Sequence, residues 1–273
     1  MKFRQGNLRQ VLSRLGLAAL FALALPLASG ADEEANAGNS KSTLQQLRDW
    51  LGFTPAHAPT QHLLNGKDLD AFYTWIEKDG TFWDKDGVFT LTNGILRISG
   101  KRRGYIATKN AYSNYHLVAE YKWGEQTWGS RTNRPRNSGI LIHGTGLDKV
   151  WMKSIECQIA EGQTGDVVVL EGAQLCRDGV TKVRSYDTFK RPGDDPVEDR
   201  VGYRAPHDLE KPHGEWNTME IFCYGSRLKV VVNGKTAFIG SDARPNMGRI
   251  LLQSNGAEIF FRRLDLQPLN CEP

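Results

Sequence analysis

Beyond residue 31, the sequence lacks any apolar run that resembles a transmembrane helix. It also lacks a C-x-x-C pair, and its cysteines are irregularly spaced, which excludes the common zinc-binding patterns. The cysteines are Cys157, Cys176, Cys223 and Cys271. Cys157 and Cys223 occupy apolar positions of predicted strands, so we expect buried thiols there rather than a disulfide framework.

The chain has no excess of charge of one sign once its first segment is set aside. It contains 35 basic and 31 acidic residues, and residues 1–31 contain four of the basic residues and none of the acidic ones. The remainder therefore has 31 of each. This balance excludes the basic field that nucleic acids require and the one-signed charge of a membrane-binding surface.

The only long apolar run, Leu15–Leu27, follows four basic residues and precedes the small residues Ser29, Gly30 and Ala31. This three-part pattern predicts a signal peptide over residues 1–31. The run is shorter than the ~20 residues that cross a bilayer. We expect cleavage near Ala31, no membrane span afterwards and a periplasmic or secreted location, with a retained anchor as the alternative.

Residues 32–60 are predicted to form a polar tether and a short helix. The helix is "STLQQLRDWLG", in which Ser42 is a candidate N-cap and Gly52 a candidate terminator. Its three leucines share one face, so we expect the helix to pack against the domain.

Residues 61–270 alternate between apolar and polar in many short segments. Asn93-Gly94 and Asn233-Gly234 are typical of two-residue hairpin turns. The pattern predicts a single all-β domain, an antiparallel sandwich of two sheets. The charged, proline-rich segment 177–215 interrupts it, and we expect a loop folded over one mouth of the sandwich.

The segment "SIECQIAEG" contains the strongest candidate for a site. Ile155, Cys157 and Ile159 occupy one face of the predicted strand, and Glu156 and Gln158 occupy the other. We expect the apolar set to pack between the sheets and the polar pair to face a ligand.

Other strands also place chemically active side chains opposite their apolar positions. Carboxylates and amides hydrogen-bond sugar hydroxyls, and indole rings stack on sugar faces, so the set predicts a carbohydrate-binding surface. The alternatives are a salt bridge for the Glu120–Lys122 pair, a strand-end cap for His143 and a solvated Arg262. The further candidates are Lys122, Trp128, Arg136, Asn137, His143, Gln253 and Arg262.

Several segments together resemble the 3-keto-disaccharide hydrolase family from about residue 61 to 269. They include "LLNGKDLDAFY", "GVFTLTNGILRISG", "RNSGILIHG", "SIECQIAEG" and "GRILLQSNGAEIFFRRLDLQPL". The resemblance implies a concanavalin A-like jelly roll that acts on glycosides oxidised at carbon 3 by a partner oxidoreductase. It places the site on one concave sheet, at Asn137, Ser138, Glu156, Gln158, Gln253 and Arg262. The chain has His143 where many relatives have Arg, and Asn255 where many have His.

The residues suit that chemistry. A ketone at carbon 3 acidifies the hydrogen on carbon 2, so a base can remove it and the group on carbon 1 can then leave. Glu156 or His143 is the candidate base, and Lys122, Arg136 or Arg262 the candidate oxyanion partner. A divalent cation is the alternative for that role. Its candidate ligands are Glu120, Glu156, Glu161 and Asp166, although no spacing specifies a metal site.

Two other functions remain open at this stage. Laminarinase-like glycosidases have E-x-D-x-x-E on a strand, and this chain has Glu156, Gln158 and Glu161 in that register. The central acid is an amide here, which weakens the tuning of a carboxylate pair. A lectin-like module that binds glycans without cleaving them is the third hypothesis.

Overall fold

A computed structural model of the protein describes residues 43–191, 193 and 197–270. The predicted signal peptide, the tether and Cys271 lie outside the described residues. In chain order the elements are α1 (Thr43–Leu51), β1 (Ala56–His57), β2 (Gln61–His62), β3 (Phe72–Ile76), β4 (Gly80–Thr81), β5 (Phe89–Thr92), β6 (Ile95–Ile98), β7 (Gly104–Thr108), β8 (Tyr115–Thr127), a 3-10 turn (Gly129–Arg131), β9 (Asn137–Thr145), β10 (Lys153–Ala160), β11 (Val167–Leu170), β12 (Gln174–Arg177), β13 (Val180–Lys182), β14 (Asp187–Phe189), β15 (Asn217–Tyr224), β16 (Arg227–Val232), β17 (Lys235–Arg244), β18 (Arg249–Ser254) and β19 (Ala257–Asn270).

The strands form two antiparallel sheets. The first has the order β13-β12-β17-β16-β15-β8-β19-β6-β5, and β1 and β2 also pair with β19. The second has the order β14-β11-β10-β9-β18-β7-β3-β4. This confirms the predicted all-β sandwich. Because β1 belongs to a sheet, the folded domain includes residues ahead of the expected start at residue 61.

The core lies between the two sheets, where period-two alternation places it. Ile155, Cys157 and Ile159 of β10 are fully buried there, together with Leu117 and Tyr121 of β8. The prediction for the apolar face of "SIECQIAEG" is confirmed, as is the burial of the Cys157 and Cys223 thiols.

The two Asn-Gly turns join β5 to β6 and β16 to β17, as predicted. Both asparagines have positive φ, 51° at Asn93 and 48° at Asn233, and a glycine with positive φ follows each. Positive φ at both central residues is the requirement of the type I′ hairpin turn, whose twist matches that of the flanking strands.

Helix α1 packs on the outer face of the first sheet. Its residues Leu47 and Leu51 are buried against Phe222, Val231 and Leu269, all on that face. The helix ends at Gly52, where φ is +83° and the amide donates to the Arg48 carbonyl. The predicted packing of the helix against the domain is confirmed.

Segment 177–215 is only partly a loop. Its first half contains β13 and β14, which extend the edges of the two sheets. Its second half covers one mouth of the sandwich, where the buried Glu210 accepts hydrogen bonds from the Tyr121 hydroxyl at 2.8 Å and the Trp123 indole at 3.1 Å.

A buried ion pair fixes this cover to the sheets. The Arg136 guanidinium donates to Glu161 Oε1 at 2.7 Å and to the Gly124 carbonyl at 2.9 Å. Glu161 Oε2 accepts from the backbone amides of Arg136 and Gly202, both at 2.8 Å. Since Arg136 and Glu161 are 5% and 3% exposed, the pair is shielded from solvent on both sides. The Arg136 guanidinium is therefore engaged in the structure of the domain, which leaves it buried and paired rather than presented to a substrate as predicted.

We expect Arg136→Ala to lower the free energy of unfolding by roughly 3–5 kcal/mol, because it leaves the Glu161 carboxylate buried and unpaired. The matched control is Arg262→Ala. It breaks an ion pair with Glu120 in which the arginine side chain is 46% exposed. This change should lower the free energy of unfolding by only about 0–1 kcal/mol. Urea unfolding at pH 7 measures both. Equal small losses would show that the buried pair does not stabilise the cover.

Candidate active site

Glu156 lies on the outer face of the second sheet, opposite the core. Its carboxyl extends over the neighbouring strand β9 at Gly139. A Cβ atom on Gly139 would lie 2.4 Å from Glu156 Oε1, so any other residue there would displace the carboxyl. The glycine in "RNSGILIHG" is thus explained by close approach of a side chain rather than by backbone conformation.

Gln253 of β18 meets Glu156 from the far side of β9. Its Nε2 donates to Glu156 Oε1 at 2.9 Å. Its Oε1 is buried and has no hydrogen-bond partner within the described residues. A buried acceptor without a hydrogen bond destabilises the folded state unless a donor, such as a ligand group, approaches it. The pair therefore presents a carboxyl and an unsatisfied carbonyl oxygen side by side, which suits a ligand with hydroxyl groups.

The surroundings of Glu156 favour its protonated form. Burial raises its pKa to about 7, against partial opposition from the Gln253 hydrogen bond and the charge of Arg131. A carboxyl with a pKa near neutrality can both accept and return a proton at physiological pH.

Arg131 supplies a positive charge at this site. The sequence pattern did not indicate this residue. The Trp128 amide donates to the Gly256 carbonyl at 2.7 Å, which fixes the loop between β8 and β9 against the turn after β18. Arg131 packs directly on Gly256, where a Cβ atom would lie 2.6 Å from the Arg131 Cγ. In the same turn, Asn255 Nδ2 donates to Asn137 Oδ1 at 2.5 Å.

Aromatic side chains continue the outer face beyond Gln253. Tyr105 is the cross-strand partner of Gln253, and Trp75 is the partner of Tyr105. The Trp75 and Tyr105 rings are stacked with centroids 5.6 Å apart. The hydroxyls of Tyr73 and Tyr105 both donate to Asp148 Oδ1 at 2.7 Å.

Of the predicted site residues, the structure brings together Glu156, Gln158, Gln253 and Asn137 on or beside this face. Gln158 lies next to Glu156 on the same side of β10, half-buried. Trp128 lies in the adjoining loop, where its indole donates to the Ser99 carbonyl at 2.9 Å.

Lys122 and Arg262 lie elsewhere, on the outer face of the first sheet. Both lie near Trp216, with the Lys122 Nζ at 5.1 Å and the Arg262 Cζ at 4.5 Å from the centre of its ring. The predicted convergence of Arg262 with Glu156 is wrong, because the alternation in β19 was assigned to the wrong sheet. Neither cation can contact a ligand held by Glu156.

Ser138 and His143 are also turned away from this face. Ser138 points to the core side of β9, where its hydroxyl donates to the Gln253 carbonyl at 2.8 Å. His143 is 1% exposed, packs edge-on against Tyr115 and has Nδ1 3.1 Å from the Pro245 carbonyl oxygen. Burial lowers its pKa to about 4, so it is neutral at pH 7 but enclosed. These positions remove His143 as a base beside Glu156.

The residues suggested as ligands of a divalent cation do not assemble. Glu120 pairs with Arg262, Glu161 pairs with Arg136, and Asp166 accepts from the Arg191 amide at 2.8 Å. In the part of the chain that the structure describes, no group of three His, Cys, Asp or Glu side chains is arranged to hold a metal ion.

The two antiparallel sheets form a jelly-roll sandwich, and a buried carboxyl lies on the outer face of one of them. The model of the family described as "3-keto-alpha-glucoside-1,2-lyase-like domain" matches residues 59–267. The chain belongs to this 3-keto-disaccharide hydrolase family, and that membership supports a carbohydrate-processing enzyme. No curated protein matches the chain.

Several solved structures are similar to this chain. A Parabacteroides distasonis protein provisionally described as a glycosyl hydrolase is 16% identical with a TM-score of 0.52, covering 77% of this chain and 94% of its own. A second from the same organism is 21% identical (TM-score 0.47; 78% and 100% covered). The β-glucanase of Bacillus licheniformis is 11% identical (TM-score 0.45; 77% and 98% covered). Within the described residues, no helix is long and apolar enough to span a bilayer.

We expect Glu156→Gln to stabilise the protein at alkaline pH. Since the folded-state pKa of about 7 exceeds the ordinary 4.5, the folded state binds more protons between these values, and stability falls as pH rises through that window. The Glu156→Gln variant has no group that titrates at this position, so its stability does not fall over this pH range. Its advantage in free energy of unfolding should be small at pH 5 and reach at most on the order of 3 kcal/mol at pH 8.

Urea unfolding of both proteins across this pH range measures the effect. Gln158→Ala, a change at a neighbouring group that does not titrate, should differ from wild type by a constant amount. A constant difference for Glu156→Gln as well would contradict the assigned pKa.

Proposed function

We propose that the protein cleaves glycosides that bear a ketone at carbon 3, by removing the proton on carbon 2 and eliminating the substituent on carbon 1. The observation that supports this most is Glu156, a buried carboxyl with a pKa of about 7 and one amide donor, on the outer face of the second sheet. Family membership supports the same class of substrate.

In the first step the Glu156 carboxylate takes the proton from carbon 2. The electrons of the broken C–H bond form the carbon 2–carbon 3 double bond, and charge moves to the ketone oxygen. Arg131 is the cation that already acts on Glu156 through its charge, so we assign it the stabilisation of this enolate.

In the second step the enolate re-forms the ketone, and a double bond forms between carbons 1 and 2 as the carbon 1–oxygen bond breaks. The departing oxygen takes a proton, and Glu156, now protonated, is its nearest source. Addition of water across the new double bond converts the unsaturated product into the free 3-keto sugar. The two steps together need one group that takes and then returns a proton, which matches a carboxyl whose pKa is near neutral pH.

The laminarinase-like hypothesis has less support. Its mechanism requires a second carboxyl beside the first, about 5–5.5 Å away in a retaining enzyme. Glu161 would have to supply it, but that side chain is held by Arg136 and lines a partly open pocket with Trp123 and Glu210. Glu156 thus has no such partner in that register.

We also propose that the protein is exported and works with an oxidoreductase that makes its substrate. The N-terminal pattern of residues 1–31 supports export. A glycoside acquires a ketone at carbon 3 only through oxidation of the hydroxyl there. The family to which the chain belongs implies a substrate that already has this ketone, so we assign the oxidation to a separate enzyme.

The purified protein should release the alcohol from a 3-keto-glucoside and leave the parent glucoside intact, because only the ketone makes the carbon 2 hydrogen acidic enough for a carboxylate. Glu156→Gln should lower kcat by about 10²- to 10⁴-fold with a smaller change in KM, since the amide keeps the shape and loses the base. Product release measured by chromatography tests both. Equal cleavage of the parent glucoside would favour an ordinary glycosidase, and glycan binding without cleavage would favour a lectin.

The pH dependence provides a separate check. Glu156 must be ionised to act as base, so kcat/KM should rise with pH through about 7 and then level off. Residual activity of Glu156→Gln should lack this rise. A rate that falls through the same range would mean that Glu156 acts first as an acid.

A further inference from the structure

The outer face of the second sheet contains more aromatic surface than proton transfer requires. We use the name aromatic shelf for Trp75, Phe82, the neighbouring Trp83 and the fully buried Tyr105, which stacks on Trp75. Trp75 and Tyr105 form the stacked pair beside Gln253. Phe82 follows β4 and packs on Tyr73 with ring centroids 5.8 Å apart, which connects it to the same face.

Part of the shelf is exposed to solvent. Phe82 is 68% exposed and Trp83 is 61% exposed. Leu147, 88% exposed, lies in the loop whose Asp148 is 3.5 Å from the Thr81 hydroxyl, so it borders the same rim. Adjacent large apolar side chains in water favour a ligand or partner that covers them.

Unsatisfied polar atoms accompany these rings. The Gln253 Oε1 acceptor and the Arg249 Nε donor are both buried without hydrogen-bond partners within the described residues. Gln253 pairs with Tyr105, and the Arg249 guanidinium lies 5.5 Å from the Tyr73 ring. An apolar surface bordered by one free acceptor and one free donor is complementary to a ring with an apolar face and polar substituents.

The position of the shelf relative to Glu156 defines which ring it could hold. The Glu156 carboxyl lies above β9, so the reacting ring must be there. Tyr105 lies one strand beyond Gln253 and Trp75 two strands beyond it, and at the usual strand spacing Trp75 is about 10 Å from Gln253 along the sheet. That separation suits a second ring attached to the first, not the reacting ring itself.

We propose that the aromatic shelf is the subsite for the leaving group, and that it selects substrates whose carbon 1 substituent is a ring with an apolar face. This inference rests on the proposed function, because it takes the ring at Glu156 to be the one that loses its carbon 1 substituent. A second sugar and an aromatic aglycone share this chemistry, since both stack on indole and phenyl rings. Tyr73 and Tyr105 keep their orientation because Asp148 accepts both hydroxyls.

The test is a binding measurement that needs no turnover. Isothermal titration calorimetry would compare unoxidised probes on the wild type: both anomers of methyl glucoside, both anomers of phenyl glucoside, maltose and cellobiose. At least one probe with a second ring should bind about tenfold more tightly than methyl glucoside. Tighter binding of the phenyl glucosides would indicate an aromatic leaving group, and tighter binding of a disaccharide would indicate a second sugar.

Trp83→Ala should remove most of this advantage, by about two- to tenfold in Kd, which is the range expected for one aromatic stacking contact. Phe82→Ala provides an independent second variant, and both residues are exposed enough for the fold to persist. The matched control is Trp216→Ala, which removes a half-buried tryptophan from the opposite outer face and should leave every Kd unchanged.

Unchanged binding in both shelf variants, or an equal loss in Trp216→Ala, would overturn the subsite. Because these probes have no ketone, the result is independent of whether 3-keto-glucosides are cleaved. A protein that loses ring binding in Trp83→Ala but cleaves no 3-keto-glucoside would retain the subsite and refute the proposed reaction.

Discussion

The free energy required to bury one carboxyl group is the constraint around which the second sheet is arranged. Removing Glu156 from water disfavours its charge, and one amide donor and a nearby arginine compensate only in part. The strand beside it must lack a side chain, hence Gly139. The loop with Arg131 must reach back across the turn at Gly256.

The remainder of the sandwich supplies the stability that this arrangement loses. Both sheets contribute large fully buried side chains to one core, and apolar burial is the dominant favourable term in folding. The cover over the mouth adds a fully hydrogen-bonded ion pair between Arg136 and Glu161. The two buried acids thus differ in their hydrogen bonds: Glu161 has donors on both oxygens, whereas Glu156 accepts from one amide, that of Gln253.

The alternation of side chains was sufficient to predict the sandwich, both hairpin turns and the core face of β10. It was not sufficient to assign strands to sheets. Lys122, Glu156 and Arg262 all occupy polar positions of strands, yet pairing across long sequence distances places the first and last on the opposite side of the molecule. A period of two specifies a face within a strand and leaves open which sheet that strand joins.

Arg131 and the aromatic residues were missed for different reasons. Arg131 lies in an irregular segment, and only the contact between two distant loops brings it to Glu156. Trp75 and Tyr105 did leave a signal, because "FYTWI" and "GYIA" are apolar on both faces. Strands of that kind are covered on both sides, which indicates an outer face that is not simply solvated.

The position of α1 keeps it apart from the candidate active site. The helix rests on the outer face of the first sheet, whereas Glu156 and the aromatic shelf occupy the outer face of the second. A label attached to an exposed residue of α1, such as Arg48, therefore lies on the side of the sandwich away from Glu156. Such a label leaves the candidate active site facing the solution.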